Sequence, residues 1–458
     1  MQIFSLSQTF YSFVCLLILH YAAPVPVAQS MQPSGFCAQH QEMSKLATDN
    51  LIDLNTIDVP GLQSNLFWSP DGRYFAIQNN LRGDGSYTIK IFEAQNIQKV
   101  VVQLDVPDQF QAIAWSPDSR YVLAVPESDD SSVRILDVIK KEVRSIERDS
   151  GILINGEIKW SPDSRYFAFR GKSSQSGNQK EVIQVLSPSN LQESILVEYS
   201  HHVADFSWSP DSHSIATAGL GEATSIIRLS GERHSQALEI PQEPGEVFEY
   251  IDWLEKNNLL IASAESIVIT DVMTGETRQQ QYFFDSLYQI SPNKRYLVVR
   301  VFDDKGSSVN LSSTTTQVID LETDEPVLET QYGVTHSAQP QHRIAWSPNS
   351  QYLAINDRGC GIYVYSVATG EVLITRGMIS NDIPREPFEI MAFDWSPDGK
   401  YLAVFGKDET FRIIEVAKRR EVARLSEFAP RVWKVLWSPD GKRIAVVDEK
   451  LRMIELGE

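Results

Sequence analysis

One short turn recurs along the whole chain, and it constrains the fold more than any other feature of the sequence. Tryptophan, serine and proline are followed by aspartate or asparagine in seven places, and two worn copies keep the same pattern. The copies lie about 45 residues apart, which is the length of one supersecondary unit in a repeat protein. The nine equivalent positions are Trp68, Trp115, Trp160, Trp208, Trp253, Ile290, Trp346, Trp395 and Trp437.

Each copy contains four strand-like segments. A short apolar strand ends at the tryptophan, and the Ser-Pro-Asp-Gly segment after it predicts a tight turn. Proline presets φ in such a turn, aspartate accepts local backbone hydrogen bonds, and glycine takes the left-handed position. Three further segments of alternating or continuous apolar residues follow, separated by polar loops. Four strands in every 40 to 50 residues are typical of a β-propeller blade.

The pattern predicts an all-β fold, a single β-propeller of four-stranded antiparallel blades. Nine copies predict nine blades, although an eight-bladed ring with one extruded unit, or two smaller rings, are alternatives. The last copy has three strands before the chain ends, so the strand-like residues 51–58 are expected to complete it and close the ring. The propeller then spans residues 51–458, and residues 31–50 form an N-terminal tether.

A role for the repeated tryptophan follows from this arrangement. A four-stranded blade cannot bury both of its faces alone, and a large flat side chain can fill the space between neighbouring blades. Burial of one such side chain contributes on the order of 3 kcal/mol. We therefore interpret the nine repeated positions as structural blade positions.

The repeats resemble WD40 repeats over roughly residues 51–458. The resemblance rests on the Ser-Pro-Asp-Gly turn, the Tyr-Leu-Ala-Val type of strand after it, and the Thr-Gly-Glu type of turn near the end of a copy. The Trp-Asp pair that names the family is replaced by pairs such as Leu136–Asp137, Thr270–Asp271 and Ile414–Glu415, and the Gly-His pair is absent. Exported propellers of the TolB-like kind are a second resemblance. Both resemblances imply a platform for protein partners.

The charge balance disfavours two classes of partner. The formal net charge is -19 and the isoelectric point is near 4.9, whereas nucleic acids and anionic membranes attract cationic surfaces. Nucleic acid is therefore not expected as a partner.

The N-terminus predicts export. Residues 1–30 contain no Asp, Glu, Lys or Arg and hold an apolar run from Phe13 to Leu19. Small residues at Ala28 and Ser30 predict a signal peptide cleaved after Ser30, so the mature chain is expected to be periplasmic or extracellular, without a stable membrane span. A frayed N-terminus on a cytoplasmic protein is the alternative.

The cysteines and histidines predict no metal site and no cofactor. The spacing of the three cysteines fits no metal motif. After cleavage, Cys37 and Cys360 either form a disulfide or remain two unrelated thiols.

Loop composition predicts a two-faced charge distribution. Loops between second and third strands share one propeller face with the blade linkers, and both sets are acidic. The opposite face carries the arginines and lysines of the Ser-Pro-Asp turns. We predict that the acidic face binds a protein partner. Its candidate residues are Asp84, Asp129, Asp130, Asp303, Asp304, Asp408, Glu409, Asp448 and Glu449.

Two classes of function remain open. A non-enzymatic interaction scaffold is the main prediction, and a lactonase-type or lyase-type enzyme with a metal or carboxylates in the central channel is the alternative. An enzyme would need convergent polar groups on the innermost strands. Those strands supply few of them, namely Glu157, Lys159, Asp205, Asp252, Asp394 and Lys434.

Overall fold

In the computed structural model, the chain forms nine four-stranded antiparallel sheets, which are the blades of one all-β propeller. The expected nine blades are confirmed, and the eight-bladed alternative is not adopted. The structure describes residues 51–58, 65–80, 87–106, 110–126, 133–146, 152–173, 180–191, 194–221, 224–229, 235–237, 240, 246–255, 257–281, 284–302, 314–330, 344–357, 361–374, 390–426, 428, 432–448 and 450–456.

The first blades are meanders in which strand order follows chain order. The strand that precedes them is β1 (Leu51–Asp58). Blade 1 contains β2 (Asn65–Trp68), β3 (Tyr74–Asn80), β4 (Tyr87–Glu93) and β5 (Asn96–Val106). Blade 2 contains β6 (Phe110–Trp115), β7 (Tyr121–Pro126), β8 (Val133–Asp137) and β9 (Glu142–Ile146). Blade 3 contains β10 (Ile152–Trp160), β11 (Phe167–Ser173), β12 (Lys180–Leu186) and β13 (Ser194–Tyr199).

The middle blades repeat this order. Blade 4 contains β14 (Val203–Trp208), β15 (Ser214–Gly219), β16 (Ser225–Arg228) and β17 (Ser235–Ala237). Blade 5 contains β18 (Tyr250–Trp253), β19 (Asn258–Ala262), β20 (Ser266–Asp271) and β21 (Thr277–Gln281). Blade 6 contains β22 (Phe284–Ile290), β23 (Tyr296–Phe302), β24 (Thr314–Asp320) and β25 (Glu325–Thr330).

Blades 7 and 8 follow the same order, and blade 9 departs from it. Blade 7 contains β26 (Ile344–Trp346), β27 (Tyr352–Asp357), β28 (Gly361–Ser366) and β29 (Val372–Ile374). Blade 8 contains β30 (Ile390–Trp395), β31 (Tyr401–Gly406), β32 (Phe411–Glu415) and β33 (Arg420–Leu425). Blade 9 takes only three strands from the C-terminal part, namely β34 (Lys434–Trp437), β35 (Arg443–Val447) and β36 (Lys450–Leu456).

The N-terminal strand completes blade 9, as the sequence predicted. β1 pairs antiparallel with β36 from Leu51 opposite Leu456 to Asp58 opposite Lys450. The sheet order is β1-β36-β35-β34, so the two ends of the propeller share one blade. This pairing covers the edge that β36 would otherwise expose.

The core of the protein lies between blades. The buried apolar residues that the structure describes form nine clusters, and each cluster joins two neighbouring blades. We call each of these nine interfaces a seam and number it by its two blades. The cluster of seam 9/1 contains Phe75 and Ile77 of blade 1 together with Ala445 and Val447 of blade 9, so the ring is closed.

The tryptophans also bond one blade to the blade before it. In six seams the indole Nε1 donates a hydrogen bond of 3.0 to 3.5 Å to a main-chain oxygen on the innermost strand of the preceding blade. The six donors are Trp115, Trp160, Trp208, Trp253, Trp346 and Trp395.

Three seams lack this bond. Ile290 has no indole, so seam 5/6 cannot form it. Trp437 donates its Nε1–H to Gly441 O of its own blade at 3.3 Å, and the buried Nε1 of Trp68 has no acceptor. Two of these three seams flank blade 9, the blade that is built from both ends of the propeller.

The repeated turn is held by its own serine and aspartate. In blade 1, the buried Ser69 hydroxyl donates to Asp71 Oδ1 at 2.8 Å and accepts from the N–H of Tyr74 at 2.9 Å. Asp71 Oδ1 also accepts from the N–H of Arg73 at 3.0 Å. The turn therefore satisfies its own backbone donors, which explains why serine and aspartate recur with the proline.

The fourth turn residue contributes to the seams. It is left-handed in the Ser-Pro turns, and in four blades it is a serine with φ of 58 to 63°. Its hydroxyl accepts a hydrogen bond of 2.9 to 3.1 Å from a turn N–H of the preceding blade. A bond across the seam thus offsets the backbone strain of a non-glycine residue in this region. The four serines are Ser119, Ser164, Ser212 and Ser350.

Two turn glycines differ in how closely a neighbouring blade approaches them. A Cβ at Gly399 would lie 2.5 Å from Cγ of Asn349 in blade 7, whereas a Cβ at Gly441 would meet nothing within 4 Å. Both glycines have similar positive φ, 70° and 74°, so the strain of substitution is matched. We expect Gly399→Ala to destabilise the fold by roughly 1–2 kcal/mol more than Gly441→Ala.

Urea unfolding of the two variants measures this difference directly. The Asn349 amide donates to Asp398 O at 3.2 Å and to Gly399 O at 3.4 Å, and these bonds oppose its displacement. Equal unfolding midpoints for the two variants would show that the Asn349 side chain can move aside without a loss of stability.

No helix in the described part of the chain is long and apolar enough to cross a membrane. The predicted signal peptide, the tether, Cys37 and Cys360 lie outside the described residues.

Candidate functional site

The propeller offers three surfaces for function. The inner wall is formed by the first strand of each blade. The turn face carries the Ser-Pro-Asp turns and the turns between third and fourth strands. The loop face is opposite, and it carries the blade linkers and the segments between second and third strands.

Polar side chains of the inner wall join blades 3 to 5. Lys159 Nζ of blade 3 donates to Asp205 Oδ1 of blade 4 at 2.8 Å. The second oxygen of Asp205 accepts from the main-chain N–H of Ile251 in blade 5 at 3.1 Å. Asp205 therefore links three blades. It also provides an acceptor for the Ile251 N–H, which lies on the inner side of an innermost strand, where no neighbouring strand could accept its hydrogen bond.

Asp252 continues this network into blade 6. Its Oδ1 accepts from the Ser207 hydroxyl of blade 4 at 3.1 Å, and its Oδ2 pairs with Lys294 Nζ of blade 6. This ion pair lies in seam 5/6, where the indole bond is missing. Asp205 and Asp252 thus belong to one charge-balanced network with two lysines.

Asp394 lies elsewhere, in seam 8/9. Its Oδ1 accepts from the N–H of Trp395 at 2.9 Å, and its Oδ2 accepts from the N–H of Trp437 in blade 9 at 2.6 Å. Burial raises the pKa of this carboxyl to about 7, although both N–H groups favour the charged form.

The inner wall therefore uses its carboxylates to hold blades together. The structure brings Asp205 and Asp252 together but not Asp394, and the side chain of Glu157 lies outside the described residues. Within the described ranges, no group of three or more His, Cys, Asp or Glu could hold a metal ion. The three-carboxylate cluster that the enzyme alternative requires is not formed by Asp205, Asp252 and Asp394.

Two of the predicted loop-face carboxylates are engaged within their own blades. Asp408 pairs with Arg412, whose side chain is only 3% exposed, and that arginine also lies 3.4 Å from Glu421. Asp448 is 1% exposed, accepts from the N–H of Lys450 at 2.7 Å and lies 3.3 Å from Arg452.

The sequence carries a signal for this arrangement that loop composition alone does not reveal. In blades 8 and 9 this aspartate precedes an arginine by four residues, in the segments Asp-Glu-Thr-Phe-Arg and Asp-Glu-Lys-Leu-Arg. A tight turn between second and third strands brings the two ends of such a segment together. Asp130 and Arg134 have the same spacing.

Of the other predicted loop-face residues, the structure describes one. Glu409 is exposed and has a φ of 60°. The remaining members of the set, which lie outside the described residues, are Asp84, Asp129, Asp130, Asp303, Asp304 and Glu449. Partner binding by this face stays a prediction.

The turn face is mixed in charge. Five of its basic side chains lie beside carboxylates of the same face, with N–O distances of 2.5 to 3.2 Å. The charges of these five residues are therefore locally paired. The pairs are Arg73–Asp71, Arg120–Asp137, Arg165–Asp163, Arg295–Asp320 and Lys400–Asp398.

Comparisons with known proteins agree with the repeat pattern. The family model described as WD domain, G-beta repeat matches residues 105–137 and 385–415, which include the first three strands of blades 2 and 8. No curated protein matches the chain significantly in sequence. WD40 propellers typically act as scaffolds for protein partners.

Solved propellers are similar to this chain with TM-scores below 0.5 and at low sequence identity. The Dos1 propeller has a TM-score of 0.48 at 14% identity and covers 76% of this chain and 92% of its own. The Cps50 (Swd1) propeller domain from Myceliophteria thermophila has a TM-score of 0.40 at 13% identity, covering 89% and 99%. The C-terminal WD40 domain of Sif2 has a TM-score of 0.47 at 12% identity, also covering 89% and 99%.

Likenesses of this size say nothing about partners or activity. The assignment depends instead on the nine repeated strand-and-turn units, the nine blades that they form, and the two repeats that the family model matches. The chain is a nine-bladed propeller built from WD40-like repeats.

Proposed function

We propose that this propeller is a non-enzymatic scaffold that binds a basic protein segment on its loop face, and that it acts after export. The observation that carries the proposal is the topology. In every blade the second strand ends and the third begins at the loop face, and this arrangement supports a common surface for the acidic segments between them. Opposite charge on a partner would favour binding there and speed association.

The inner wall supports the non-enzymatic part of the proposal. Asp205 and Asp252 are balanced by Lys159 and Lys294, and Asp394 binds two main-chain N–H groups. These groups hold blades in place, so recognition falls to the faces of the ring. Loops on a rigid scaffold are the usual carriers of binding residues.

The test compares two variants with the same change of charge. The loop-face variant replaces Asp129, Asp303 and Asp304 by Asn and Glu409 by Gln. Asp408 and Asp448 are kept because they neutralise Arg412 and Arg452, and Asp130 is kept because it has the same spacing to Arg134. The turn-face control replaces four exposed glutamates by Gln, namely Glu142, Glu255, Glu276 and Glu325.

Affinity capture from the exported fraction, followed by mass spectrometry, gives the readout. We expect wild type and the turn-face control to retain a basic partner, and the loop-face variant to lose it at least tenfold. We also expect retention to fall as salt rises, since exposed charges are screened. Equal retention by both variants, or no partner for any form, would contradict the proposal. The mass of the mature chain in the same fraction tests cleavage after Ser30.

A further inference from the structure

Seam 3/4 shows how one pair of inner-wall positions works. Lys159 immediately precedes the tryptophan of blade 3, and Asp205 lies three residues before the tryptophan of blade 4. Their side chains form an ion pair of 2.8 Å across the seam. Lys159 also lies over the ring of Phe206, 5.1 Å from its centroid.

Seam 8/9 has charged residues at the same two positions with the signs exchanged. Asp394 immediately precedes Trp395, and Lys434 lies three residues before Trp437. The two side chains do not pair in the structure. Asp394 accepts hydrogen bonds from two main-chain N–H groups, while Lys434 points to seam 9/1.

Lys434 therefore bonds blade 9 to blade 1 instead of blade 8. Its Nζ donates to Asn65 Oδ1 at 3.0 Å and lies 5.7 Å from the centroid of the Phe67 ring. Within the described residues, no carboxylate lies within ion-pair distance of this amine. Its hydrogen bond crosses seam 9/1, where neither an indole bond nor a turn serine contributes.

Each of these two groups is partly buried without an opposite charge. Burial raises the pKa of Asp394 to about 7 and lowers the pKa of Lys434. The elements packed against Asp394 are β31 in its own blade and β34 with the turn that follows it in blade 9. Their ionisable side chains are Tyr401 on β31, Lys434 on β34, and Asp440 and Lys442 in the turn. Of the two lysines, Lys434 occupies the repeat position that pairs across seam 3/4.

The pair in seam 3/4 is the geometric precedent for an exchange. Lys159 and Asp205 join the same two repeat positions across a seam, so a lysine and an aspartate placed there can reach one another. We propose that Lys434 is a movable bridge: its Nζ leaves Asn65 in seam 9/1 and pairs with Asp394 in seam 8/9. Lys434 thus bonds blade 9 either to blade 1, through Asn65, or to blade 8, through Asp394.

Proton binding to Asp394 sets the balance. When the carboxyl is neutral it offers no charge to the amine, and Lys434 stays on Asn65. When it is ionised, the pair across seam 8/9 becomes favourable. The bridge is therefore expected to move to Asp394 as the pH rises through about 7.

A double-mutant cycle tests the proposal on the full chain. The variants are Asp394→Asn, Lys434→Met and the double variant, with Lys159→Met and Asp205→Asn as the matched control pair. Urea unfolding is measured at pH 8 and pH 5.5. At pH 8 we expect the unfolding constant of the double variant to differ at least fivefold from the product of the single effects.

At pH 5.5 we expect this coupling to fall below twofold, whereas the control pair couples at both pH values. Coupling below twofold at pH 8, or equal coupling of Asp394 and Lys434 at both pH values, would overturn the proposal.

A second measurement avoids unfolding. Lysines acylate through the neutral amine, so loss of a paired carboxylate lowers the amine pKa and speeds the reaction. We expect Asp394→Asn to raise the acylation rate of Lys434 by an acetyl ester reagent at pH 8 at least threefold, read by peptide mass spectrometry. The rate at Lys159 should not change. An unchanged rate at Lys434 would overturn the proposal even if a variant failed to unfold reversibly.

Discussion

Deletion of residues 1–58 is expected to lower the free energy of unfolding by several kcal/mol, whereas deletion of residues 1–50 leaves it unchanged. The longer deletion removes β1, which pairs with β36 from Leu51 to Asp58. Each ladder hydrogen bond contributes roughly 0.5–1.5 kcal/mol net, and the loss also exposes β36 as a free edge. Urea unfolding of the two truncated chains gives the comparison.

The shorter deletion is the control, because it removes the predicted signal and tether but keeps the strand. We expect the chain that begins at residue 59 also to associate through its exposed edge, which light scattering detects. Identical midpoints for the two chains would mean that closure by β1 contributes nothing to stability.

Trp395→Ala is expected to destabilise the propeller by about 3–5 kcal/mol, the usual range for large core aromatics. Trp395 is 4% exposed and stacks on Tyr352 of blade 7, with ring centroids 6.0 Å apart. Its Nε1 donates to Ala345 O at 3.1 Å. Removal therefore leaves a cavity in seam 7/8 and an unpaired carbonyl. Thermal and urea unfolding measure the loss.

Two phenylalanine variants isolate the hydrogen bond from the packing. Trp395→Phe loses a bonded N–H, whereas Trp68→Phe loses an N–H that has no acceptor. We expect the first to cost about 1 kcal/mol more than the second. A larger loss at Trp68 would show that the indole bonds do not contribute to holding the seams.

The fold was predictable because it depends on local, repeated signals. Proline with serine and aspartate specifies the turn, and the tryptophan marks the end of the first strand, so even the worn copies at Trp253 and Ile290 were assigned to blades. Closure by residues 51–58 followed from counting the strands of the last copy.

The candidate site was less predictable, because its contacts join residues that the repeat places in different blades. Asp205 and Lys159 are neighbours only across a seam, and the sequence shows no spacing that pairs them. Asp408 and Asp448 were predicted as partner-binding residues from loop composition, but the arginine four residues later engages each of them. The bond of the Trp437 indole to Gly441 is likewise not marked by a local pattern, because Trp68 and Trp395 stand in the same Trp-Ser-Pro-Asp-Gly segment.

The placement of β1 has a consequence for biosynthesis. Its partner strand is nearly 400 residues further along the chain. At about 5–20 residues per second, β36 leaves the ribosome roughly 20 to 80 s after β1. During that interval the finished blades can stack, but the ring stays open and β1 has no partner. Contacts of such long range also slow folding. The newly made chain is therefore most exposed to chaperones, proteases and other chains just before its last strand is released.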